Sequence, residues 1–125
     1  MIENCRTLLA IAQELLESGM TGRNELKFRS AVNRAYYSIF LLAREKTSLE
    51  NEVHDVHSKV FREISYRLIR IGKQSTVMRV KELREYRQQA DYSFPATIPE
   101  CEDWKKCAEN AVIQAGYALN HLERL

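Results

Sequence analysis

Residues 25–47, ELKFRSAVNRAYYSIFLLAREKT, carry the pattern that decides the fold. Apolar side chains recur there at every third or fourth position, which places them on one face of an α-helix. They are Phe28, Ala31, Val32, Ala35, Ile39, Leu42 and Ala43. Three aromatic residues, Tyr36, Tyr37 and Phe40, widen this face. The pattern predicts a long helix that is the central and most buried one.

The rest of the sequence predicts four more helices around this one. The same periodicity occurs over residues 2–19, over residues 53–71, after an N-cap at Ser75 or Thr76, and over residues 100–121. Pro95 and Pro99 predict a loop over residues 93–99. No stretch alternates with period two, so we predict no strands. We therefore expect residues 1–125 to be one all-α domain, a five-helix up-and-down antiparallel bundle.

Length and composition exclude several classes of protein. A chain of 125 residues provides one hydrophobic core. No apolar run is longer than that of residues 39–43, which is far shorter than the roughly 20 residues of a membrane span, and no secretory signal is visible. Three cysteines without a C-x-x-C pair disfavour a disulfide framework and a zinc site. We expect a cytoplasmic protein with no membrane association, no metal and no cofactor.

Positive charge is concentrated in one part of the chain. Residues 59–87 contain nine basic and three acidic side chains, a net charge of +6, whereas the whole chain carries +2. Such a segment attracts a phosphate backbone. The alternative is an ordinary solvated helix surface.

The segment LREYRQQADY, residues 83–92, holds the first candidate site residues. On a helix Arg84, Arg87 and Asp91 share one face, and an arginine that a carboxylate orients is suited to bidentate phosphate binding. The alternative is an ion pair between Arg87 and Asp91 that only fixes packing.

The segment SAVNRAYYSIF, residues 30–40, places Arg34 and Tyr37 on one face of the most apolar helix. A buried arginine is costly unless it is paired. We therefore expect Arg34 either to pair with an acid, with Asp91 as a candidate, or to face a polar cleft. The alternative is a polar network within the core.

Together these segments resemble the HEPN superfamily, and most closely its uncharacterised prokaryotic branch. The resemblance rests on the R-A-Y-Y run at residues 34–37, on His57 followed by Phe61, and on the R-x-x-A-D-Y run at residues 87–92. An alanine-rich last helix fits as well. The three motifs occur in the right order and span nearly the whole chain.

The resemblance implies a helical bundle that is often a homodimer. Many HEPN proteins are metal-independent ribonucleases, commonly toxins or antiviral effectors. Their R-x(4–6)-H motif supplies a histidine for proton transfer and an arginine that stabilises negative charge. Others act with a small nucleotidyltransferase. Carried over to this sequence, the catalytic candidates are Arg87, Tyr92 and Asp91, and the RNA- or nucleotide-binding candidates are Arg34, Tyr37, His57 and Arg84.

The sequence departs from the catalytic motif, because none of its three histidines has an arginine five to seven positions before it. Tyr92 stands five positions after Arg87, with four residues between them, where a histidine is expected, and a tyrosine of ordinary pKa near 10 is a poor base. Tyr92 either replaces the acid–base group, accepts a modification from a nucleotidyltransferase, or caps the bundle. His57 is the histidine that a neighbouring helix could bring to Arg87.

Three functions remain open from the sequence. The first is an RNA- or nucleotide-directed protein, either a ribonuclease with altered acid–base residues or a binding protein. The second is a non-catalytic dimeric partner of a minimal nucleotidyltransferase or another regulatory protein, as in a toxin–antitoxin pair. The third is a structural oligomerisation module.

Overall fold

Helices form the regular secondary structure of the computed structural model, which describes residues 1–22, 24–49 and 51–125. They are α1 (Ile2–Met20), α2 (Glu25–Lys46), α3 (Val56–Arg70), α4 (Gln74–Tyr92) and α5 (Trp104–Glu123), with a short 3-10 helix at Pro99–Cys101. The described residues contain no strand, so the predicted all-α fold is confirmed. None of these helices is long and apolar enough to cross a membrane.

Helix α2 is the centre of the fold, as its apolar pattern predicts. It contacts each of the other four helices and has eleven buried residues, against nine in α5. The side chain of Asn24 caps its start by accepting a hydrogen bond from the Lys27 amide at 3.2 Å. Because α2 is buried on several sides, two of its polar residues, Arg29 and Ser38, are buried as well.

Small residues let two helices approach α2 closely. In α5 the buried residues facing the core are largely alanines: Ala108, Ala111, Ala115 and Ala118. In α1 a Cβ placed on Gly19 would lie 2.8 Å from the Phe28 ring. Helix α3 contacts only α2 and α4 among the described helices, so its position depends on fewer contacts.

Two helices begin later in the structure than the sequence predicts. Helix α3 begins at Val56 rather than near residue 53, because Asp55 adopts a left-handed conformation with φ 50° that does not continue a helix. The last helix begins at Trp104, after Asp103 accepts a hydrogen bond from the Lys106 amide at 3.2 Å.

The predicted N-cap of α4 at Ser75 or Thr76 is wrong. The helix already begins at Gln74, and Thr76 lies buried in its first turn. The Thr76 hydroxyl is 2.6 Å from Nδ1 of His121 on α5. This threonine therefore joins two helices instead of capping one.

Candidate functional site

Arg87 lies at the centre of a polar cluster between α2 and the last turns of α4. Its Nε is 2.8 Å from Oδ2 of Asp91. Its NH2 group donates to the Tyr37 hydroxyl at 3.0 Å and reaches the Tyr92 hydroxyl at 3.4 Å. One guanidinium thus contacts a carboxylate and two phenols.

The position of the guanidinium follows from helix geometry and aromatic packing. Arg87 and Asp91 are four residues apart and share a face, and the Nε contact is an ion pair without hydrogen-bond alignment. The Arg87 Cζ lies 5.5, 5.4 and 5.3 Å from the ring centroids of Tyr36, Tyr37 and Tyr92. Such cation–π contacts favour a fixed cation beside the rings. The Arg87 side chain keeps 15% of its surface exposed, so part of it remains accessible to a ligand.

Asn33 connects the cluster to the exposed surface of α2. Its Nδ2 donates to both oxygens of Asp91, at 3.2 and 3.0 Å, and its Oδ1 accepts from NH1 of Arg34 at 2.5 Å. Arg34 itself is exposed and reaches Asp91 through Asn33. Of the two alternatives for Arg34, a direct pair with Asp91 is not formed, because the Asn33 amide stands between the two charges.

The buried arginine of α2 is Arg29, which the sequence reasoning did not single out. Its side chain is only 4% exposed and pairs with Glu25 at 3.1 Å. Its NH1 donates to the Ser93 carbonyl at 2.6 Å, beside the end of α4. Arg29 thus holds the helix that carries Arg87 and Asp91 against α2.

His57 enters the same region from the first turn of α3. Its Nδ1 lies 2.5 Å from the hydroxyl of Tyr36, which is fully buried. The imidazole stacks on Phe40, with ring centroids 4.1 Å apart and planes within 8°. Tyr36 and Tyr37 therefore lie between two groups, the imidazole of His57 and the guanidinium of Arg87.

Burial and nearby cations set the protonation states in the site. Partial burial lowers the pKa of His57, and the charges of Arg87, Arg84 and Arg44 lower it further. Burial also raises the pKa of Tyr36, against the opposing effect of Arg84 and Arg87. At pH 7 the site therefore contains a neutral imidazole and a protonated phenol.

The pKa of Arg87 is raised although burial alone lowers it. The negative charge of Asp91 and the phenolic oxygens of Tyr37 and Tyr92 outweigh that effect. An arginine carries its charge throughout the accessible pH range. Arg87 is thus a permanent cation at the centre of the site.

Arg84 extends the site along α4. Its NH2 lies 3.4 Å from the Ser58 hydroxyl, and its Cζ is 5.2 Å from the centroid of the Phe61 ring. It borders a groove of about 270 Å³ between α3 and α4, together with Arg62 and Lys81. Arg87 pairs with Asp91, whereas Arg34 and Arg84 form no ion pair among the described residues, so the site attracts anions.

The structure brings all seven candidate residues to this region, in three different ways. Arg87, Asp91, Tyr37 and Tyr92 are in direct contact. Asn33 links Arg34 to them, and Tyr36 links His57 to them. Arg84 lies three residues before Arg87 on α4. Tyr92 is the outermost member, with 72% of its surface exposed.

Asn33 is the site residue that the sequence reasoning missed. The signal was present, because Asn33 stands four positions before Tyr37 and so shares its helix face. Among the described residues, no three His, Cys, Asp or Glu side chains come together in a group that could hold a metal ion. No family model, curated protein or solved structure matches the chain.

Proposed function

We propose that this cluster binds a phosphate group of RNA, and that the protein is a HEPN-type ribonuclease in which His57 and Arg87 act together. One observation carries the proposal: a neutral imidazole from α3 and a fixed guanidinium from α4 flank the same two tyrosines. The missing R-x(4–6)-H register is then not needed, because the histidine comes from another helix.

Phosphate binding uses Arg87 and the two phenols that it contacts. Asp91 orients the guanidinium, which offers donors to two phosphate oxygens. The hydroxyls of Tyr37 and Tyr92 accept hydrogen bonds from Arg87, so their own protons remain to be donated to the same anion. The net positive charge of the site favours binding of the anion to Arg87 and to these two hydroxyls.

Proton transfer uses the second nitrogen of His57. When Nδ1 carries the proton and donates it to the Tyr36 oxygen, Nε2 is a free base. It accepts the proton of the RNA 2′-hydroxyl as the 2′-oxygen attacks the adjacent phosphorus. The bond to the 5′-oxygen breaks, and that oxygen takes a proton from solvent, which gives a 2′,3′-cyclic phosphate and a 5′-hydroxyl. Arg87 stabilises the charge that develops on the phosphoryl oxygens.

The direct test is cleavage of single-stranded RNA by the purified protein beside two matched variants. Arg87→Gln removes the proposed phosphate ligand, whereas Arg124→Gln removes an equal charge from an exposed position at the end of α5. We expect the wild type and Arg124→Gln to cleave RNA, Arg87→Gln to lose at least about tenfold in rate, and DNA of the same sequence to stay intact. Equal rates for all three proteins, or no cleavage by any of them, would exclude the ribonuclease.

A second function is favoured by the exposure of Tyr92. Its hydroxyl lies at the surface at the end of α4, where a partner enzyme reaches it, and it also contacts Arg87. On this alternative the protein is a non-catalytic, dimeric partner of a minimal nucleotidyltransferase, which transfers a nucleotide to Tyr92. Such a transfer blocks Arg87 directly.

The alternative is tested by mass spectrometry of protein isolated from its own cells. A nucleotide adduct on the tryptic peptide of residues 88–105, which contains Tyr92, would support it. Tyr66 on α3 is 58% exposed and serves as the internal control. Unmodified Tyr92, or modification of both tyrosines alike, would remove this alternative.

A further inference from the structure

Two of the three cysteines, Cys101 and Cys107, lie in contact with each other near Arg29. The Sγ atoms of Cys101 and Cys107 lie 3.2 Å apart. Cys101 ends the 3-10 helix, and Cys107 lies in the first turn of α5. A disulfide bond is about 2.05 Å long, so the two sulfurs need to approach by about 1 Å more.

The backbone around both residues is held by local hydrogen bonds. The Cys101 amide donates to the Ile98 carbonyl at 3.1 Å, and the Cys107 amide donates to the Asp103 carbonyl at 3.0 Å. The Asp103 side chain caps the start of α5. The two thiols are thus kept together by the fold, and both residues are fully buried.

We propose that Cys101 and Cys107 form an oxidation site, at which a hydroperoxide converts the thiol pair into an intramolecular disulfide. This site lies outside the Arg87 cluster and does not depend on the function proposed for it. The structure holds both residues as free thiols.

The surroundings shift the pKa values of the two thiols in opposite directions, which makes Cys101 the attacking and Cys107 the resolving cysteine. A hydrogen bond from the Cys107 thiol lowers the pKa of Cys101 despite its burial, and the nearby charge of Arg29 acts in the same direction. The same contact and burial raise the pKa of Cys107. Cys101 is therefore the cysteine that forms the thiolate, which is the nucleophilic form.

A cleft provides the approach to Cys101. It has a volume of about 410 Å³ and is lined by Cys101, Arg29, Trp104 and the exposed Phe94 and Pro95 of the preceding loop. Because Phe94 and Pro95 are exposed and line this cleft together with Cys101, the cleft is the proposed route of hydrogen peroxide to the Cys101 sulfur.

The chemistry balances with a hydroperoxide as the oxidant. The Cys101 thiolate attacks one oxygen of hydrogen peroxide and the O–O bond breaks. Cys101 becomes a sulfenic acid while the other oxygen leaves as hydroxide. The sulfur of Cys107 then attacks the Cys101 sulfur and displaces the second hydroxide. The Cys107 proton and the proton first lost by Cys101 convert both hydroxides to water. Two thiols and one peroxide thus give one disulfide and two waters.

The test uses the unmutated protein, folded, with a small molar excess of hydrogen peroxide. Remaining thiols are alkylated after denaturation, and the protein is digested with trypsin without reduction. Cleavage after Lys105 and Lys106 separates the two cysteines, so a disulfide links the peptides of residues 88–105 and 107–124. We expect these linked peptides, a loss of two hydrogen atoms from the intact mass, reversal by dithiothreitol, and an alkylated Cys5.

A Cys107→Ala variant separates the two steps. Without the resolving thiol, Cys101 is expected to remain a sulfenic acid that dimedone traps, whereas the wild type gives no dimedone adduct. Three free thiols after oxidation of the folded wild type would overturn the proposal. A disulfide that includes Cys5 or joins two molecules would overturn it as well.

Discussion

The hydroxyl of Tyr36 lies 2.5 Å from Nδ1 of His57, and this contact joins the centre of α2 to the first turn of α3. It lies within an aromatic cluster, since His57 also stacks on Phe40. The bond fixes the orientation of the imidazole, while burial and three arginines keep it neutral. The proposed chemistry depends on both effects, because proton transfer at Nε2 requires a neutral and oriented ring.

Removing the Tyr36 hydroxyl is expected to destabilise the protein. Tyr36→Phe leaves the half-buried Nδ1 of His57 without this partner, which lowers the free energy of unfolding by about 1–2 kcal/mol. Urea denaturation measures the change, and Tyr66→Phe, at an exposed position on α3, is the matched control with a change near zero. Equal stability of the two variants would show that the contact contributes nothing.

Substitution of Arg29 is expected to destabilise the protein more than substitution of any other arginine. Its NH1 donates to three carbonyls at the end of α4, those of Gln89, Ala90 and Ser93. Arg29→Met leaves these groups without that donor and removes the cation held between Phe94 and Trp104. We expect a loss of at least about 3 kcal/mol in unfolding free energy.

Arg6→Met is the comparison for Arg29. Arg6 forms an ion pair with Glu123 at 2.6 Å, but both side chains are about half exposed. Solvent screening reduces such a pair to about 0–1 kcal/mol. A loss for Arg29→Met as small as that for Arg6→Met, measured by the same denaturation, would contradict the role of Arg29 at the end of α4.

Two helical glycines are expected to respond in opposite directions to alanine. A Cβ on Gly19 meets the Phe28 ring at 2.8 Å, so Gly19→Ala forces α1 and α2 apart at a cost of about 1–3 kcal/mol. A Cβ on Gly116 meets only Leu9, at 3.7 Å, so Gly116→Ala stabilises α5 by about 0.5–1 kcal/mol. Thermal unfolding compares them, and destabilisation by both would contradict the close approach at Gly19.

Stability is expected to fall on mild acidification. Burial first, and neighbouring cations second, lower the pKa values of both His57 and His121 in the folded state. The unfolded chain therefore binds protons more readily, and the free energy of unfolding decreases as pH falls below about 6.5. The cations are Arg87, Arg84 and Arg44 around His57, and Lys73, Arg124 and Arg79 around His121.

Urea denaturation between about pH 5 and pH 8 checks this pH dependence. His57→Gln removes one of the two histidines whose pKa is lowered. It is expected to reduce the change of unfolding free energy with pH below about pH 6.5, while the contribution of His121 remains. Stability that is constant over this range, or a slope unchanged in His57→Gln, would show that His57 is not held neutral by the fold.

The helices were predictable because their signals are local. The spacing of apolar residues depends on neighbours along the chain, and so does the shared face of Arg87 and Asp91. Arg29 also gave a local signal, since it stands seven positions, about two turns, before the buried Tyr36 and so lies on the same face. Arg34, two positions before Tyr36, lies on the opposite side, which explains why it is exposed.

The contacts between helices were not predictable in the same way. The Tyr36–His57 bond and the Asn33–Asp91 link depend on how α2, α3 and α4 are placed, which helical periodicity does not specify. The Cys101–Cys107 contact depends on the 3-10 helix and on the capped start of α5. A spacing of six residues alone does not indicate such a pair.

The central claim is that His57 and Arg87 act on the same phosphate, and NMR of the His57 imidazole tests it most directly. The ligand is a short RNA whose 2′-hydroxyls are methylated, so that it binds without being cleaved. We predict that saturating ligand shifts the His57 ring resonances and raises the pKa of His57, because an anion then lies beside the ring, and that Arg87→Gln abolishes both changes. Resonances of His57 that do not move on addition of the RNA, or that move equally in Arg87→Gln, would contradict the account.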